Sequence, residues 1–234
     1  MEDDARVALI TGAGRGIGRA TALALHEGGW RLVLAGRTHE PLARLVEETG
    51  GRHVAVACDV TAEADVVHAV HTVVERFGRL DGLVCAAGVG TFTPTPESAL
   101  DDWNRTIATN LTGTFLCCRE ALRVMLPRRS GHLVTILSVA SKVAFPAAAA
   151  YCASKWGAYG LTKVLAEEVR REGVRVTAVL PGSTDTPFWD AIGGPPRADM
   201  LAPARVAEAV RYALEAPPDA SVDEIHLMPP KGIL

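Results

Sequence analysis

Three residues in the second half of the chain could carry acid–base chemistry together. Tyr151 and Lys155 are four positions apart, so on a helix both side chains project from the same face. Ser138 ends an apolar run that is typical of a β-strand. A phenol has an intrinsic pKa of ~10, and lowering it by ~3 units requires ~4 kcal/mol, which nearby cations could supply. The set therefore suits proton exchange with a substrate oxygen: Tyr151 passes the proton, Ser138 hydrogen-bonds the oxygen, and Lys155 tunes Tyr151.

A glycine-rich turn lies near the start of the chain, between an apolar run and a predicted helix. It reads Thr-Gly-Ala-Gly-Arg-Gly-Ile-Gly over 11–18, a TGxxxGxG spacing. Glycines let the chain turn tightly and let backbone N–H groups approach a pyrophosphate at the positive end of the helix. The alternative is a glycine-rich turn without a ligand. We predict a dinucleotide site formed by Gly12, Gly14, Arg15, Gly16, Ile17 and Gly18.

The end of the second apolar run distinguishes the two nicotinamide dinucleotides. An acid about 20 residues beyond the glycine turn would bind the ribose 2′-hydroxyl of NAD. The chain has Ala-Gly-Arg-Thr over 35–38 and no acid there. Arg37, together with Arg15, could instead pair with a 2′-phosphate through charge-assisted hydrogen bonds. The sequence therefore predicts NADP(H) in preference to NAD(H); the alternative is that Arg37 is a solvated surface arginine.

Short apolar runs alternate with amphipathic stretches along the chain. Predicted strands cover 7–11, 31–36, 53–57, 83–86, 132–137, 175–179 and 225–228. Predicted helices cover 16–28, 41–49, 62–77, 100–109, 111–126, 151–172 and 203–214. This alternation indicates parallel strands with right-handed crossovers. We predict an α/β fold: a doubly wound, Rossmann-type, seven-stranded parallel sheet with helices on both faces, in a single domain over 1–234. Its nucleotide-binding half would cover about 1–90 and its catalytic and substrate half about 91–234.

The order of the motifs resembles the short-chain dehydrogenase/reductase family over nearly the whole chain. The resemblance is carried by TGxxxGxG at 11–18, Asp59, Asn110, Ser138, Tyr151, Lys155 and Pro181-Gly182. Within that family the chain is most similar to NADPH-dependent 3-oxoacyl-carrier-protein reductases and small carbonyl reductases. The resemblance implies a catalytic set of Asn110, Ser138, Tyr151 and Lys155, in which Asn110 positions a water in the proton relay and Lys155 holds the cofactor ribose.

The resemblance also implies further contacts to the dinucleotide. Asp59 and the backbone of Val60 would contact the adenine, and Thr184 and Thr186 would lie by the nicotinamide carboxamide. Taken without the family, Asp59 is typical of a helix cap and Asn110 of a turn. The complete predicted set adds Tyr151, Lys155, Ala87, Gly88, Pro181 and Gly182 as cofactor-binding residues.

One motif departs from the family pattern. Where the family usually has Asn-Asn-Ala-Gly after the fourth strand, the chain has Cys-Ala-Ala-Gly over 85–88. Amide side chains that brace the central sheet are therefore missing, and the bracing hydrogen bonds need other partners or are absent. A redox sensor at Cys85 is conceivable, but a free cysteine after an apolar strand is typical of a small buried hydrophobe.

These residues predict an oxidoreductase that moves a hydride between nicotinamide and a carbonyl or alcohol, of the 3-oxoacyl or small carbonyl reductase type. The segments 142–148 and 187–189 are apolar and aromatic apart from Lys142, which favours an apolar carbonyl substrate. One alternative is an NADP-dependent hydroxy-acid or polyol dehydrogenase. Another is a dinucleotide-binding regulator without turnover. Fold and catalytic set alone do not name the substrate.

Composition restricts the classes of partner and ligand that the protein could bind. Lys plus Arg number 24 and Asp plus Glu 27, so the net charge of −3 offers no basic field for nucleic acid or an anionic membrane. Cysteine spacing and the lack of a leader or long apolar stretch favour a reduced, cytoplasmic protein. His68 and His71 lack further ligands nearby, so we predict no metal site. Excess apolar residues on the helix at 151–172 predict a homo-oligomer. The resemblance implies a homodimer or homotetramer that forms through this helix and the helix at 111–126.

Overall fold

Seven strands form one parallel sheet in the order β3-β2-β1-β4-β5-β6-β7. The computed structural model describes residues 5–190 and 192–233. The strands are β1 (Val7–Thr11), β2 (Arg31–Gly36), β3 (Val54–Ala57), β4 (Gly82–Cys85), β5 (Gly131–Ile136), β6 (Val174–Pro181) and β7 (Glu224–Leu227). Every residue of β1 and β4 is buried, as expected for central strands that are covered on both faces.

Helices cover both faces of this sheet. They are α1 (Gly16–Glu27), α2 (His39–Glu48), α3 (Glu63–Phe77), α4 (Leu100–Ile107), α5 (Gly113–Met125), α6 (Ala149–Val169) and α7 (Pro203–Glu215). One apolar layer joins the sheet to α3, α5 and α6, and a second joins it to α1, α2 and α7. The predicted doubly wound, seven-stranded parallel fold is thus confirmed. Strand order reverses between β1 and β4, which is where such sheets open a crevice at their carboxyl edge.

The predicted break between helices at 109–111 is wrong. Helices α4 and α5 are joined by a π-helical turn over Ala108–Thr112, so the chain stays helical through Asn110. The Asn110 side chain bonds to distant groups rather than starting or ending a helix. Most other bounds differ from prediction by one or two residues, but α6 ends at Val169 before a short 3-10 turn, Arg170–Glu172. Such π-turns are frequent at functional sites.

Two histidines are buried within the fold. His132 is 2% exposed, and burial, with a smaller effect of Arg175, lowers its pKa from 6.5 to about 3. Burial likewise lowers the pKa of His53 to about 4, helped by neighbouring His26. Because the folded state disfavours protonated histidine, the unfolded chain binds more protons below pH 6.5. Stability is therefore lost as the pH falls from 6.5 toward the lowered values, by about 2 kcal/mol at pH 5 for His132.

Large apolar side chains remain exposed on neighbouring helices of one side. Phe115 on α5 is 42% exposed, and Trp156 and Val164 on α6 are 51% and 55% exposed. Leu100 and Trp103 add exposed apolar surface on α4, which packs against α6. In the described part of the chain, no helix has the length and apolarity needed to span a bilayer.

Candidate active site

A cavity of about 830 Å³ opens at the carboxyl edge of the sheet. It is lined by residues that follow β1, β2, β3, β4, β5 and β6. Nearly all of the predicted site residues line it: Gly12, Gly14, Arg15, Gly16, Ile17, Arg37, Asp59, Val60, Ala87, Gly88, Ser138, Tyr151, Lys155, Pro181, Gly182, Thr184 and Thr186. Gly18 and Asn110 are the two exceptions among the predicted residues. The fold thus brings two distant groups, the glycine turn and the Tyr151 set, into one cavity.

The glycine turn is folded tightly against the end of β4. Gly12 has a φ of +67°, and a Cβ there would lie 2.8 Å from the backbone of Ala87. Gly18 is buried, and a Cβ on it would lie 2.2 Å from the carbonyl oxygen of Gly12. Gly18 therefore allows α1 to pack on the turn without lining the cavity, and its predicted part in dinucleotide binding stays a prediction. The resulting surface is a backbone cradle next to the start of a 12-residue helix, which suits a pyrophosphate.

The segment after β6 closes over this turn. The N–H of Gly182 donates to the carbonyl of Leu227 at 2.7 Å, and the Thr184 hydroxyl donates to the carbonyl of Gly182 at 3.0 Å. A Cβ on Gly16 would lie 3.2 Å from the methyl group of Thr186. The segment is therefore tied to β7 and touches the glycine turn at the cavity wall.

Thr11 supplies the brace that the missing amide side chains would give. Its hydroxyl oxygen accepts hydrogen bonds from the N–H groups of Ala86 and Ala87, at 3.2 and 3.3 Å. Cys85 is 4% exposed, and its sulfur lies 3.9 Å from that of Cys118. Hydrogen bonds to neighbouring thiols, together with burial, raise the pKa of Cys85 well above the usual value. The expectation that Cys85 is a small buried hydrophobe is confirmed. Thr11 is the first residue of the glycine motif, but its role as a brace was not predicted.

The adenosine end of the cavity carries charged residues. Arg15 and Arg37 line it, together with Thr38 and Asp59. One oxygen of the Asp59 carboxylate accepts from the N–H and the hydroxyl of Thr61, at 2.9 and 2.8 Å. These bonds, with a smaller contribution from Arg37, lower the pKa of Asp59. Asp59 is thus partly a loop-stabilising residue before α3, as its sequence position without the family would indicate, and it still faces the cavity.

Ser138, Tyr151 and Lys155 converge at the other end. Ser138 begins a short turn, where its hydroxyl oxygen accepts from the N–H of Ala140 at 3.1 Å. Ser138 and Tyr151 both line the cavity, and the Ser138 side chain acts to lower the pKa of Tyr151. The Lys155 ammonium lies 5.8 Å from the centre of the Tyr151 ring and donates to the carbonyl of Ile136 at 2.9 Å. Ser138 after β5 and Tyr151 on α6 thus bring two hydroxyl groups to this end of the cavity, and Lys155 adds a buried cation beside them.

The pKa of Tyr151 does not follow the lowering expected from Lys155. Burial raises the pKa of Tyr151 to about 12, although the Ser138 side chain acts to lower it. Burial also lowers the pKa of Lys155 to about 8, because a buried ammonium loses hydration. The protein alone thus keeps Tyr151 as a neutral phenol, a proton donor. Lowering its pKa requires a further cation at this site.

Asn110 links the π-turn to the loop after β4. Its side-chain oxygen accepts from the N–H of Val89 at 2.9 Å, and its amide donates to the carbonyl of Val89 at 2.8 Å. The same amide donates to the Ser154 hydroxyl at 2.9 Å. Asn110 is therefore a clamp that sets Val89, which lines the cavity, against α6. The Asn110 side chain does not line the cavity, and its oxygen and nitrogen are both hydrogen-bonded within this clamp.

Aromatic rings surround the Tyr151 ring. Phe188 lies 5.6 Å from it and Phe92 lies 5.8 Å from it, measured between ring centres. Trp189 lies 5.3 Å from Phe188 and 5.8 Å from Phe92. The sequence pointed to the apolar segment 187–189, but Phe92 was missed because its loop carries no recognisable motif.

Sequence comparison identifies the family to which this chain is similar. The short chain dehydrogenase family matches residues 6–194. The D-threitol dehydrogenase of Mycolicibacterium smegmatis is 41% identical over 201 residues, covering 85% of this chain and 77% of that protein. The sepiapterin reductase of Chlorobaculum tepidum is 37% identical and covers 97% of both chains.

Solved structures agree in fold. An alcohol dehydrogenase from the archaeon Thermococcus sibiricus, complexed with 5-hydroxy-NADP, superposes with a TM-score of 0.88 at 32% identity, covering 96% of both chains. A metagenomic short-chain oxidoreductase in complex with NADP gives a TM-score of 0.86 at 33% identity, covering 98% of this chain and 99% of that one. With its cradle, its Ser138, Tyr151 and Lys155 set and these relatives, the chain belongs to the short-chain dehydrogenase/reductase family of oxidoreductases.

Proposed function

We propose that the protein is an NADP(H)-dependent reductase of ketones, of the small carbonyl type, which interconverts a carbonyl and an alcohol. The observation that carries this proposal is the presence of Ser138, Tyr151 and buried Lys155 in the same cavity as the glycine turn. A pyrophosphate cradle and a proton donor in one cavity suit hydride and proton transfer to the same substrate.

The cofactor preference is proposed from the charges at the adenosine end. Arg15 and Arg37 line the cavity there, and β2 ends at Gly36 without an acid following it. A 2′-phosphate could accept charge-assisted hydrogen bonds from either guanidinium. NADP in two similar solved structures supports the same preference.

The residues of the chain have distinct roles in this proposal. A nicotinamide dinucleotide, when bound, supplies or accepts the hydride. Ser138 holds the substrate oxygen, and Tyr151, whose pKa burial raises to about 12, donates a proton to it during reduction. Lys155 holds the ribose and carries a positive charge beside Tyr151. Asn110 sets the cavity wall through its hydrogen bonds to Val89.

Replacement of the proton donor tests the proposal. We expect Tyr151→Phe to lower kcat for ketone reduction by about 10²- to 10⁴-fold, because general acid catalysis contributes that much. NADPH affinity, followed by its fluorescence, should stay close to that of the wild type. The control is Tyr212→Phe, since Tyr212 is 66% exposed on α7 and does not line the cavity. Full activity of Tyr151→Phe would refute the assigned role.

A second candidate is oxidation of a polyol, which the similarity to a D-threitol dehydrogenase favours. The two candidates differ in substrate and direction, and steady-state rates with D-threitol and NADP⁺, compared with a simple ketone and NADPH, separate them. A higher kcat/KM for D-threitol would favour the second candidate.

We also propose a homodimer or homotetramer that forms through α5 and α6. Exposed Phe115, Trp156 and Val164 support this interface, because large exposed apolar patches are typical of protein contacts. The division near residue 90 into a nucleotide half and a substrate half, and the cytoplasmic location, complete the proposal.

A further inference from the structure

Four aromatic rings meet at the substrate end of the cavity. Five of the six pairs among the rings of Phe92, Tyr151, Phe188 and Trp189 have centres 5.3 to 6.3 Å apart, within the range for favourable tilted and edge-to-face pairs. Phe188 and Trp189 stand on the short turn Pro187–Trp189. A Cβ on Gly90 would lie 2.8 Å from Phe188 and 2.9 Å from Tyr151, so the rings pack directly on the backbone at that glycine.

Further apolar residues accompany these rings in the cavity wall. They are Val139, Phe145, Pro146, Pro187 and Pro195. The indole N–H of Trp189 already donates to the carbonyl of Thr184 at 3.1 Å. Among the polar residues that also line the cavity, the Thr184 hydroxyl donates to the carbonyl of Gly182 and Arg105 donates to Asp102. In the proposed function, the Ser138 and Tyr151 hydroxyls meet the one substrate oxygen.

Such a wall discriminates between substrate classes. A polyol or a carboxylate would have to bury hydroxyl or charged groups among apolar rings, which costs free energy without compensating hydrogen bonds. An aromatic substituent would instead form the same tilted and edge-to-face contacts that the rings form with one another. Phe92, Phe188 and Trp189 are half-buried, so each ring keeps surface for such a contact.

We infer that the substrates are aryl ketones and the corresponding aryl carbinols, selected by Phe92, Phe188 and Trp189. This inference rests on the proposed function. In the reduction, the carbonyl π bond breaks; its carbon gains a hydride from NADPH and its oxygen gains the Tyr151 proton. The products are the aryl carbinol and NADP⁺, and Tyr151 regains a proton from solvent.

The first test compares two apolar ketones of similar size with two smaller, polar ketones. Acetophenone, cyclohexyl methyl ketone, dihydroxyacetone and 3-oxobutanoate are assayed with NADPH. We expect kcat/KM for acetophenone to exceed that for cyclohexyl methyl ketone by about 2- to 10-fold, the range of an aromatic pair. It should exceed the values for the other two by more than about 100-fold, because their polar groups lose partners. A value for dihydroxyacetone or 3-oxobutanoate equal to that for acetophenone would overturn the inference.

Substitutions of the aromatic residues test which side chains select the substrate. In Phe188→Leu and Trp189→Leu, the preference for acetophenone over cyclohexyl methyl ketone should fall to about 1, since apolar bulk is kept and the ring is lost. The control is Tyr212→Leu, an exposed aromatic residue outside the cavity, in which the preference should not change. An unchanged preference in both ring variants would contradict the assigned role of the rings.

A binding measurement separates this inference from the proposed function. Titration calorimetry of 1-phenylethanol into the protein with NADP⁺ is compared with that of 1-cyclohexylethanol. Tighter binding of 1-phenylethanol without turnover of any ketone would refute the proposed function and support the aryl site. Turnover with equal or weaker binding of 1-phenylethanol would refute the aryl site and leave the proposed function standing.

Discussion

The Asn110 clamp makes a quantitative prediction. Asn110 is 2% exposed and forms three side-chain hydrogen bonds of 2.8 to 2.9 Å, two to the backbone of Val89 and one to Ser154. Asn110→Leu keeps the volume but leaves the N–H and the carbonyl of Val89 buried without these partners. A net loss of about 1 kcal/mol per bond gives a decrease of about 3 kcal/mol in the free energy of unfolding.

Urea unfolding at pH 7 measures this loss. The matched control is Asn104→Leu, because Asn104 is exposed on α4 and should change stability by no more than about 0.5 kcal/mol. NADPH affinity should also fall in Asn110→Leu, since Val89 lines the cavity. Equal unfolding free energies for the two variants would refute the clamp.

Three further predictions test charge and surface. In His132→Gln the loss of stability between pH 7 and pH 5 should shrink by about 2 kcal/mol in urea unfolding, because burial lowers the pKa of His132 to about 3; a loss equal to that of the wild type would contradict this effect. Arg37→Asp should lower the NADPH/NADH ratio of kcat/KM by about 10- to 100-fold. The control Arg44→Asp, on the exposed side of α2, should leave the ratio unchanged. An unchanged ratio in Arg37→Asp would refute the role of Arg37 in binding the 2′-phosphate. Trp156→Lys should sediment as a monomer at micromolar concentration if α6 forms the oligomer interface; a monomeric wild type would contradict that interface.

Much of the fold could be predicted from local sequence patterns. Apolar runs such as 7–11 and 31–36 are buried on both faces, so their composition alone identifies central parallel strands. The glycine turn was predictable because backbone approach to Ala87 and to the Gly12 carbonyl excludes other residues. Tyr151 and Lys155 were predictable because helical spacing determines their common face.

Other features depend on contacts between distant residues and carry no local signal. Thr11 braces Ala86 and Ala87 across neighbouring strands, and its place as the first residue of the glycine motif does not reveal these partners. The π-turn at Asn110 forms because the side chain is engaged by Val89 and Ser154, which lie 21 and 44 positions away. The raised pKa of Tyr151 reflects burial, which spacing cannot reveal.

The most direct test of the proposed chemistry follows the hydride itself. The protein is incubated with NADPH that carries deuterium at C4 of the dihydronicotinamide, on the transferred face, and with acetophenone, and the alcohol is examined by mass spectrometry and NMR. The account predicts one deuterium on the carbinol carbon in the wild type and about 10²- to 10⁴-fold slower product formation in Tyr151→Phe. An alcohol without deuterium at that carbon, or no alcohol from any carbonyl compound although NADPH binds, would contradict it.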